Sequence, residues 1–223
     1  KINFLDTPGY EDFIGEMVSA AKVVESAAIL VTAQSGVDVG TERAWDLSNA
    51  NGLPRCIVIN KMDRENADFA ETVNAIQSSF GNKCVPFQFP IGSEQSFSAV
   101  LDVICPPGTI PSDLQSEFDG FRDRLVEAIA ESDDDLADKY LEGEELSQDE
   151  ILIGAREAIR KGNLVPILTT SATKNIGVKE LAEFIQEFMP SPIDGIRPTV
   201  SDESGNNLSI EVDSGAPVAG LVF

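Results

Sequence analysis

Near the start of the chain, Asp6-Thr7-Pro8-Gly9 sets a carboxylate, a hydroxyl and a glycine directly after a short apolar run. An Asp at the C-terminal end of a strand can hold a hydrated Mg2+, which wants a carboxylate and keeps its waters. Glycine lets a backbone N–H approach a phosphate oxygen where any side chain would intrude. The same four residue types also make ordinary turns. Further on, Asn60-Lys61-Met62-Asp63 follows a second apolar run. A carboxylate there can accept from the ring N–H and exocyclic amino group of guanine, an arrangement adenine does not present. The Asn amide suits the other purine edge, and a Lys stem covers the base face. A pocket built to satisfy such donors rejects bases that lack them, because its own groups would be left unpaired. Thr170-Ser171-Ala172-Thr173 follows a third apolar run, and its small residues let backbone N–H groups reach a purine carbonyl. Ser-Ala after a strand is common, so this third element gains weight only from the other two.

These segments need strands to end at them and helices to separate them. The first half alternates short apolar runs with amphipathic stretches, the pattern of βαβ units and a mostly parallel sheet. Strands are expected over 2–5, 27–32, 56–60 and 85–89, and helices over 11–25 and 39–50. In the first helix Phe13, Met17, Ala20 and Val24 form one stripe; the second ends at Gly52 with Pro54 beyond. From about residue 90 the texture changes. Residues 96–104 fit strand or helix, and Pro106-Pro107-Gly108 stops them. Leu114, Phe118, Phe121, Leu125 and Ile129 predict a helix over 113–131, and Ser147 with Glu150 predicts a capping box before another that ends near Gly162. A strand over 164–168 and a helix striped with Val178, Leu181, Ile185 and Phe188 resume the α/β rhythm. After Met189-Pro190-Ser191-Pro192, the alternation of Leu208, Ile210 and Val212 and the run 218–223 predict the opening strands of an all-β unit.

Composition narrows the function classes. At 223 residues and 42% hydrophobic, the chain can bury a normal core. Its net charge of −22 makes it a poor non-specific binder of nucleic acid, since phosphate contacts come from Lys and Arg. Residues 112–150 alone hold fifteen Asp and Glu against three Lys and Arg, which reads as a solvated helical face. Three scattered cysteines and no His leave a zinc site almost no ligands and suggest reduced, mostly buried thiols. No apolar run reaches the roughly 20 residues that span a bilayer, and no signal-peptide pattern precedes the first motif.

Taken in order, the three motifs match the GTP-binding proteins, and their flanks resemble one branch of them. Asp6-Thr7-Pro8-Gly9-Tyr10-Glu11-Asp12-Phe13 resembles the switch II segment of translational GTPases. Pro90-Ile91-Gly92, the run from Lys139 to Glu145, Lys174-Asn175 with Gly177-Val178, and Met189-Pro190-Ser191-Pro192 resemble elongation factor G. Residues 219–223 resemble the first strand of that family's β-barrel domain. Release factors and ribosomal protection proteins share the switch and guanine motifs, but the segments around Pro90 and Lys139 favour elongation factor G.

The resemblance implies an α/β G domain of the P-loop NTPase type, over 1–89 and 159–190, interrupted by an α+β insertion over 90–158. It implies a linker and the start of a β-barrel over 191–223. It further implies GTP or GDP with Mg2+, a cytoplasmic monomer, and ribosome-dependent hydrolysis coupled to translocation or recycling. Contacts would be to ribosomal RNA and the stalk protein, with no membrane or DNA. On the family's pattern Asp6 sits near Mg2+ through water, Gly9 donates to the γ-phosphate, and Asn60, Lys61, Met62 and Asp63 read guanine with Ser171, Ala172 and Thr173. The sequence departs from that pattern in three ways. GxxxxGK[ST] is absent from these residues, so the polypeptide by itself is expected to bind GTP weakly and not hydrolyse it. Tyr10 stands where the family has a His that orients the attacking water, which leaves open a GTP-loaded binding module with weak hydrolysis. Pro106-Pro107-Gly108 also shortens the insertion.

Overall fold

A computed structural model of the chain describes residues 1–195, 200–201, 204–208, 212, 215, 220 and 222–223. Its centre is a parallel sheet in the order β1 (Ala27–Thr32), β2 (Arg55–Asn60), β6 (Val165–Thr169), β3 (Cys84–Pro86). β2 and β6 are apolar along almost their whole length and buried on both faces, as strands covered by helices on each side must be. Register runs Thr32↔Asn60 and Ile59↔Thr169, so β1, β2 and β6 end along one edge of the sheet.

The helices α1 (Ile14–Ala20), α2 (Val39–Ala50), α3 (Phe69–Phe80) and α7 (Val178–Phe188) belong to this α/β layer. Asp38 starts α2 through a capping box with Thr41, which satisfies two backbone donors that a helix start leaves open. Gly52, at φ 63°, ends it: its N–H donates to Asn49 O, and the Leu53 N–H donates to Ser48 O.

Between β3 and β6 the chain builds a separate layer. A hairpin of β4 (Gln88–Ile91) and β5 (Ala99–Asp102) leads into α4 (Gln115–Ala130), α5 (Asp134–Leu141) and α6 (Gln148–Lys161). Phe118, Phe121, Leu125 and Ile129 of α4 are buried, and the capping box of Ser147 with Glu150 forms as expected. Gly162 ends α6 at φ 73°. Phe89 of the hairpin packs edge-on against Phe118 and tilted against Phe121, while Phe87 packs edge-on against Phe184 and Phe188 of α7. One continuous core therefore runs from the parallel sheet into this layer.

Three sequence expectations need correction. Residues 2–5 form no strand: they join no ladder of described residues, and Ile2, Phe4 and Leu5 are exposed, Phe4 at 70%. An apolar run becomes a strand only where a neighbouring edge supplies its hydrogen bonds. The expected helix over 11–25 is a 3-10 turn at Glu11–Phe13 followed by the short α1, none of whose residues is buried. Helices this short draw their stability from a packed face, and this stripe has none. The expected strand over 85–89 is divided. Cys84, Val85 and Pro86 pair in parallel with β6, whereas from Gln88 the chain pairs antiparallel with β5. Phe87 is the pivot: its N–H donates to Ile167 O and its carbonyl accepts from the Val103 N–H. The ambiguous stretch 96–104 is the end of a 3-10 turn at Glu94–Ser96 followed by β5. Beyond residue 195, β7 (Val200–Ser201) and β8 (Asn207–Leu208) form a small antiparallel pair. Ile210 and most of the expected strand over 218–223 lie outside the described residues.

Candidate functional site

Two loops leave the same edge of the sheet side by side, because the strands that carry them are hydrogen-bonded neighbours. The loop after β2 begins at Asn60 and turns at Lys61, whose φ of 65° is left-handed. Met62 is fully buried, and its N–H donates to Thr170 O at 3.3 Å. That anchor leaves the Lys61 side chain exposed and Asp63 half-buried. The loop after β6 runs through Thr170 and Ser171, both buried, to Ala172 and Thr173, which are exposed. It folds back in a tight turn: Ser171 and Ile176 exchange backbone hydrogen bonds of 2.9 and 3.1 Å. Gly177 closes the turn at φ 75°, and a Cβ there would meet Thr169 O at 2.2 Å, so only glycine fits.

Side chains then tie the loops together. Asn60 Oδ1 accepts from the Ala172 N–H at 3.1 Å and from the Thr170 hydroxyl at 3.2 Å. The Ser171 hydroxyl donates to Asp63 Oδ1 at 2.6 Å, and the Lys174 N–H donates to Ser171 Oγ at 3.1 Å. The Ser171 hydrogen bond, more than the nearby Arg64 and Lys174 charges, holds the Asp63 carboxyl below its ordinary value. Asn60 keeps an amide N–H2 donor and Asp63 further carboxylate lone pairs beyond these bonds, and both residues are partly exposed. A donor and an acceptor at fixed separation on a sheet edge can discriminate a planar ligand by its hydrogen-bonding edge.

Residues 1–191 match the elongation factor Tu GTP-binding domain family. The chain belongs to that family. It also resembles a crystal structure of a protein from Thermus thermophilus, with a TM-score of 0.77 at 34% identity over 87% of this chain. The match covers 31% of that protein, so this chain spans less than a third of its length. Family membership makes residues 1–191 a domain of the elongation factor Tu GTP-binding type.

Within this elongation-factor-type domain the sequence-nominated residues fall into two groups. Asn60, Asp63, Ser171 and Ala172 converge as described, with Met62 buried beneath them and Lys61 and Thr173 exposed at the rim. Asp6, Thr7, Pro8, Gly9 and Tyr10 lie outside any described strand or helix and make no hydrogen bond to the first group among the described residues, and Tyr10 is 80% exposed. The Gly9 carbonyl lies beside the start of α2, where a Cβ added to Gly40 would meet it at 3.7 Å. Among the described residues no group of three or more His, Cys, Asp or Glu side chains could hold a metal ion, and no helix is long and apolar enough to cross a membrane.

Sequence reasoning named Thr170 only as part of its loop and Lys174 only for its resemblance, and it missed Glu94 and Gln95. Thr170 braces Asn60 and Lys174 braces Ser171. Glu94 and Gln95 come from the β4–β5 hairpin: the Glu94 N–H donates to Met62 O at 2.8 Å, and Gln95 O accepts from Lys174 Nζ at 3.1 Å. The only sequence signal for Glu94 and Gln95 was the preceding Pro90-Ile91-Gly92, which was noted for its resemblance and not for a contact.

Proposed function

We propose that the chain is the GTP-binding part of a ribosome-dependent elongation factor of the G type, in which GTP hydrolysis drives translocation or ribosome recycling. The observation that carries this reading is the convergence of Asn60, Asp63, Ser171 and Ala172 on one edge of a parallel sheet. Guanine fits the groups on offer. The Asp63 carboxylate accepts from the ring N–H and exocyclic amino group, the Asn60 amide donates to the opposite edge, and the Ala172 loop lies beside the base carbonyl. The Lys61 stem covers one face of the base, and Met62 and Thr173 set the depth and rim of the slot.

At the phosphate side, the exposed carboxylate of Asp6 would hold a hydrated Mg2+, and the Gly9 N–H would serve the γ-phosphate with Thr7 and Pro8 shaping the turn. A single carboxylate is enough for such an ion, which keeps most of its waters and takes its other ligands from phosphate. When bound, Mg2+ would neutralise charge between the phosphates. Residues 1–223 carry no GxxxxGK[ST] loop, so this polypeptide by itself binds GTP weakly.

In this reading residues 1–89 and 159–190 are the G domain, 90–158 an inserted α+β subdomain, and 191–223 a linker into a β-barrel. The protein is a cytoplasmic monomer whose partners are ribosomal RNA and the stalk protein, and it engages neither membrane nor DNA. A second reading is favoured by one observation: the side chain at position 10, where the resemblance implies a water-orienting His, is a tyrosine that is 80% exposed. A phenol hydrogen-bonds but does not titrate near neutrality as imidazole does. The protein would then be a GTP-loaded ribosome-binding module that hydrolyses slowly. Ribosome-stimulated GTP turnover by the intact protein, beside its Tyr10→His variant, separates the two. Fast turnover by the parent supports the translocating GTPase; negligible turnover restored by histidine supports the slow module. Replacing Asp63 with Asn tests base reading: preference should move from guanine toward xanthine, whose extra carbonyl an amide can serve. Unchanged guanine preference would refute the assignment of that carboxylate.

A further inference from the structure

The turn at the tip of the β4–β5 hairpin belongs to the inserted layer, yet it makes three hydrogen bonds to the two loops of the site. The Glu94 N–H donates to Met62 O at 2.8 Å, and Glu94 Oε1 accepts from the Asn66 N–H at 2.6 Å. Gln95 O accepts from Lys174 Nζ at 3.1 Å. The first two pin the loop after β2 on both sides of Asp63. The third pins the loop after β6 one turn from Ser171, whose hydroxyl holds Asp63. Glu94 and its neighbour Gln95 therefore touch, from outside, both supports of the carboxylate.

The backbone is bent to achieve this. Glu94 and Asn66 both have left-handed φ values, 53° and 62°, which non-glycine residues adopt only at a cost. Gly92, at φ 76°, leaves no room for a side chain: a Cβ would meet Ser96 O at 2.4 Å. Ser96 Oγ closes the turn by accepting from the Ser93 N–H at 3.2 Å and donating to Ser93 O at 2.7 Å, so its shape is fixed by its own residues. The hairpin below it is held to the central sheet by Gln88, whose buried side-chain oxygen accepts from the Thr169 N–H at 2.9 Å. A rigid strut thus runs from β6 through β4 to the tip and back onto the two loops.

We propose that residues 92–96 form a clasp, with Glu94 as a positioning residue, through which the inserted layer sets the selectivity of the base site. The proposal rests on the reading of Asp63 as the guanine-recognising carboxylate. Glu94 itself does not contact the base. It fixes the path of residues 62–66 and hence where the Asp63 carboxylate stands. Loosening the clasp should act first on contacts made through Asp63, chiefly the one to the exocyclic amino group. Inosine lacks that group, so guanine-over-inosine preference reports the clasp separately from overall binding strength.

The test uses the full-length protein with GDP and inosine diphosphate, measured by competition against a fluorescent GDP. Glu94→Ala removes the acceptor for the Asn66 N–H and should lower the guanine-over-inosine preference about fivefold, the effect expected from losing one such contact. Glu94→Gln keeps an acceptor oxygen and should stay within about twofold of the parent. Lys174→Met cuts the other link without touching Glu94, so it carries the test even if Glu94→Ala folds poorly, and it should move the preference in the same direction. A merely structural role for the turn would weaken both nucleotides equally and leave the ratio alone. Asp63→Asn is run in parallel. If it shifts preference toward xanthine while Glu94→Ala and Lys174→Met keep the parent's ratio, the clasp is refuted and the base reading stands. If Asp63→Asn leaves guanine preference intact, the base reading falls and the clasp with it.

Discussion

Replacing Ser171 with Ala removes one oxygen and two hydrogen bonds from the centre of the site. The hydroxyl donates to Asp63 Oδ1 at 2.6 Å and accepts from the Lys174 N–H at 3.1 Å. Ser171 is fully buried, but Asp63 is reached by water, which can replace part of what is lost. A hydrogen bond to a charged group contributes roughly 1.5–3 kcal/mol when shielded, so about 1 kcal/mol is the fair figure here, or about a fivefold loss of guanine nucleotide affinity. The acid limb of binding should move as well. The Ser171 hydroxyl is the main cause of the low Asp63 pKa, so without it that pKa rises toward the ordinary carboxylate value. A carboxyl whose folded pKa is depressed contributes above its unfolded value and loses that contribution as pH falls through the folded one. Binding by the Ser171→Ala protein should therefore fail at a higher pH than binding by the parent. Titration of a fluorescent GDP against the full-length proteins from about pH 7.5 down to about pH 3 reads both effects, because the window must extend below the ordinary Asp value of about 3.9 to reach the parent's acid limb. Equal affinity and a superimposable acid limb would refute the argument. A lower melting temperature with unchanged affinity would reduce Ser171 to a packing residue.

Gly177→Ala forces a methyl to within 2.2 Å of Thr169 O at a left-handed φ, so it should destabilise by about 2 kcal/mol or more, read as a lower urea midpoint at unchanged m-value. Glu150 is held down to about 2, first by its hydrogen bond to Lys139 and then by those to Ser147. Its contribution is present above the unfolded carboxylate value and disappears as pH falls toward 2. The stability gap between the parent and Glu150→Gln should therefore narrow between about pH 4.5 and pH 2 in denaturant titrations. Of the cysteines in this stretch, Cys56 and Cys84 are buried thiols pushed up to about 12 by desolvation, whereas Cys105 is exposed. Brief treatment with a disulfide reagent near neutral pH, followed by peptide mapping, should find label on Cys105 alone; label on Cys56 or Cys84 before unfolding would contradict the packing.

The parts of the fold legible in the sequence are those whose pattern and packing agree. β2 and β6 are continuous apolar runs because both faces are covered, and the stripe read for α4 is buried from Phe118 to Ile129. The capping box of Ser147 with Glu150 and the helix end at Gly52 were readable because their chemistry is local. What failed depended on neighbours. Residues 2–5 look like a strand by composition, but a strand is completed by another edge. The division at Phe87 depends on where β5 and β6 lie, which no local pattern announces. For the site, the residue types of Asn60, Asp63 and Ser171 were enough to nominate them, because the chemistry needs those groups. Glu94 escaped notice because its part is to hold a backbone from a distance of 28 residues in sequence, and a lone Glu in a polar turn carries no local sign of that.

Sheet topology also explains why the base half of the proposed site holds together. The loops that would read the base issue from β2 and β6, which pair directly, so the Ile59↔Thr169 register places them together before any side chain acts. Asn60, Thr170, Ser171 and Asp63 then lock an approach that the backbone has already made. Local opening of these loops would therefore have to break strand-anchored hydrogen bonds as well as the side-chain links, so the slot draws its firmness from the core.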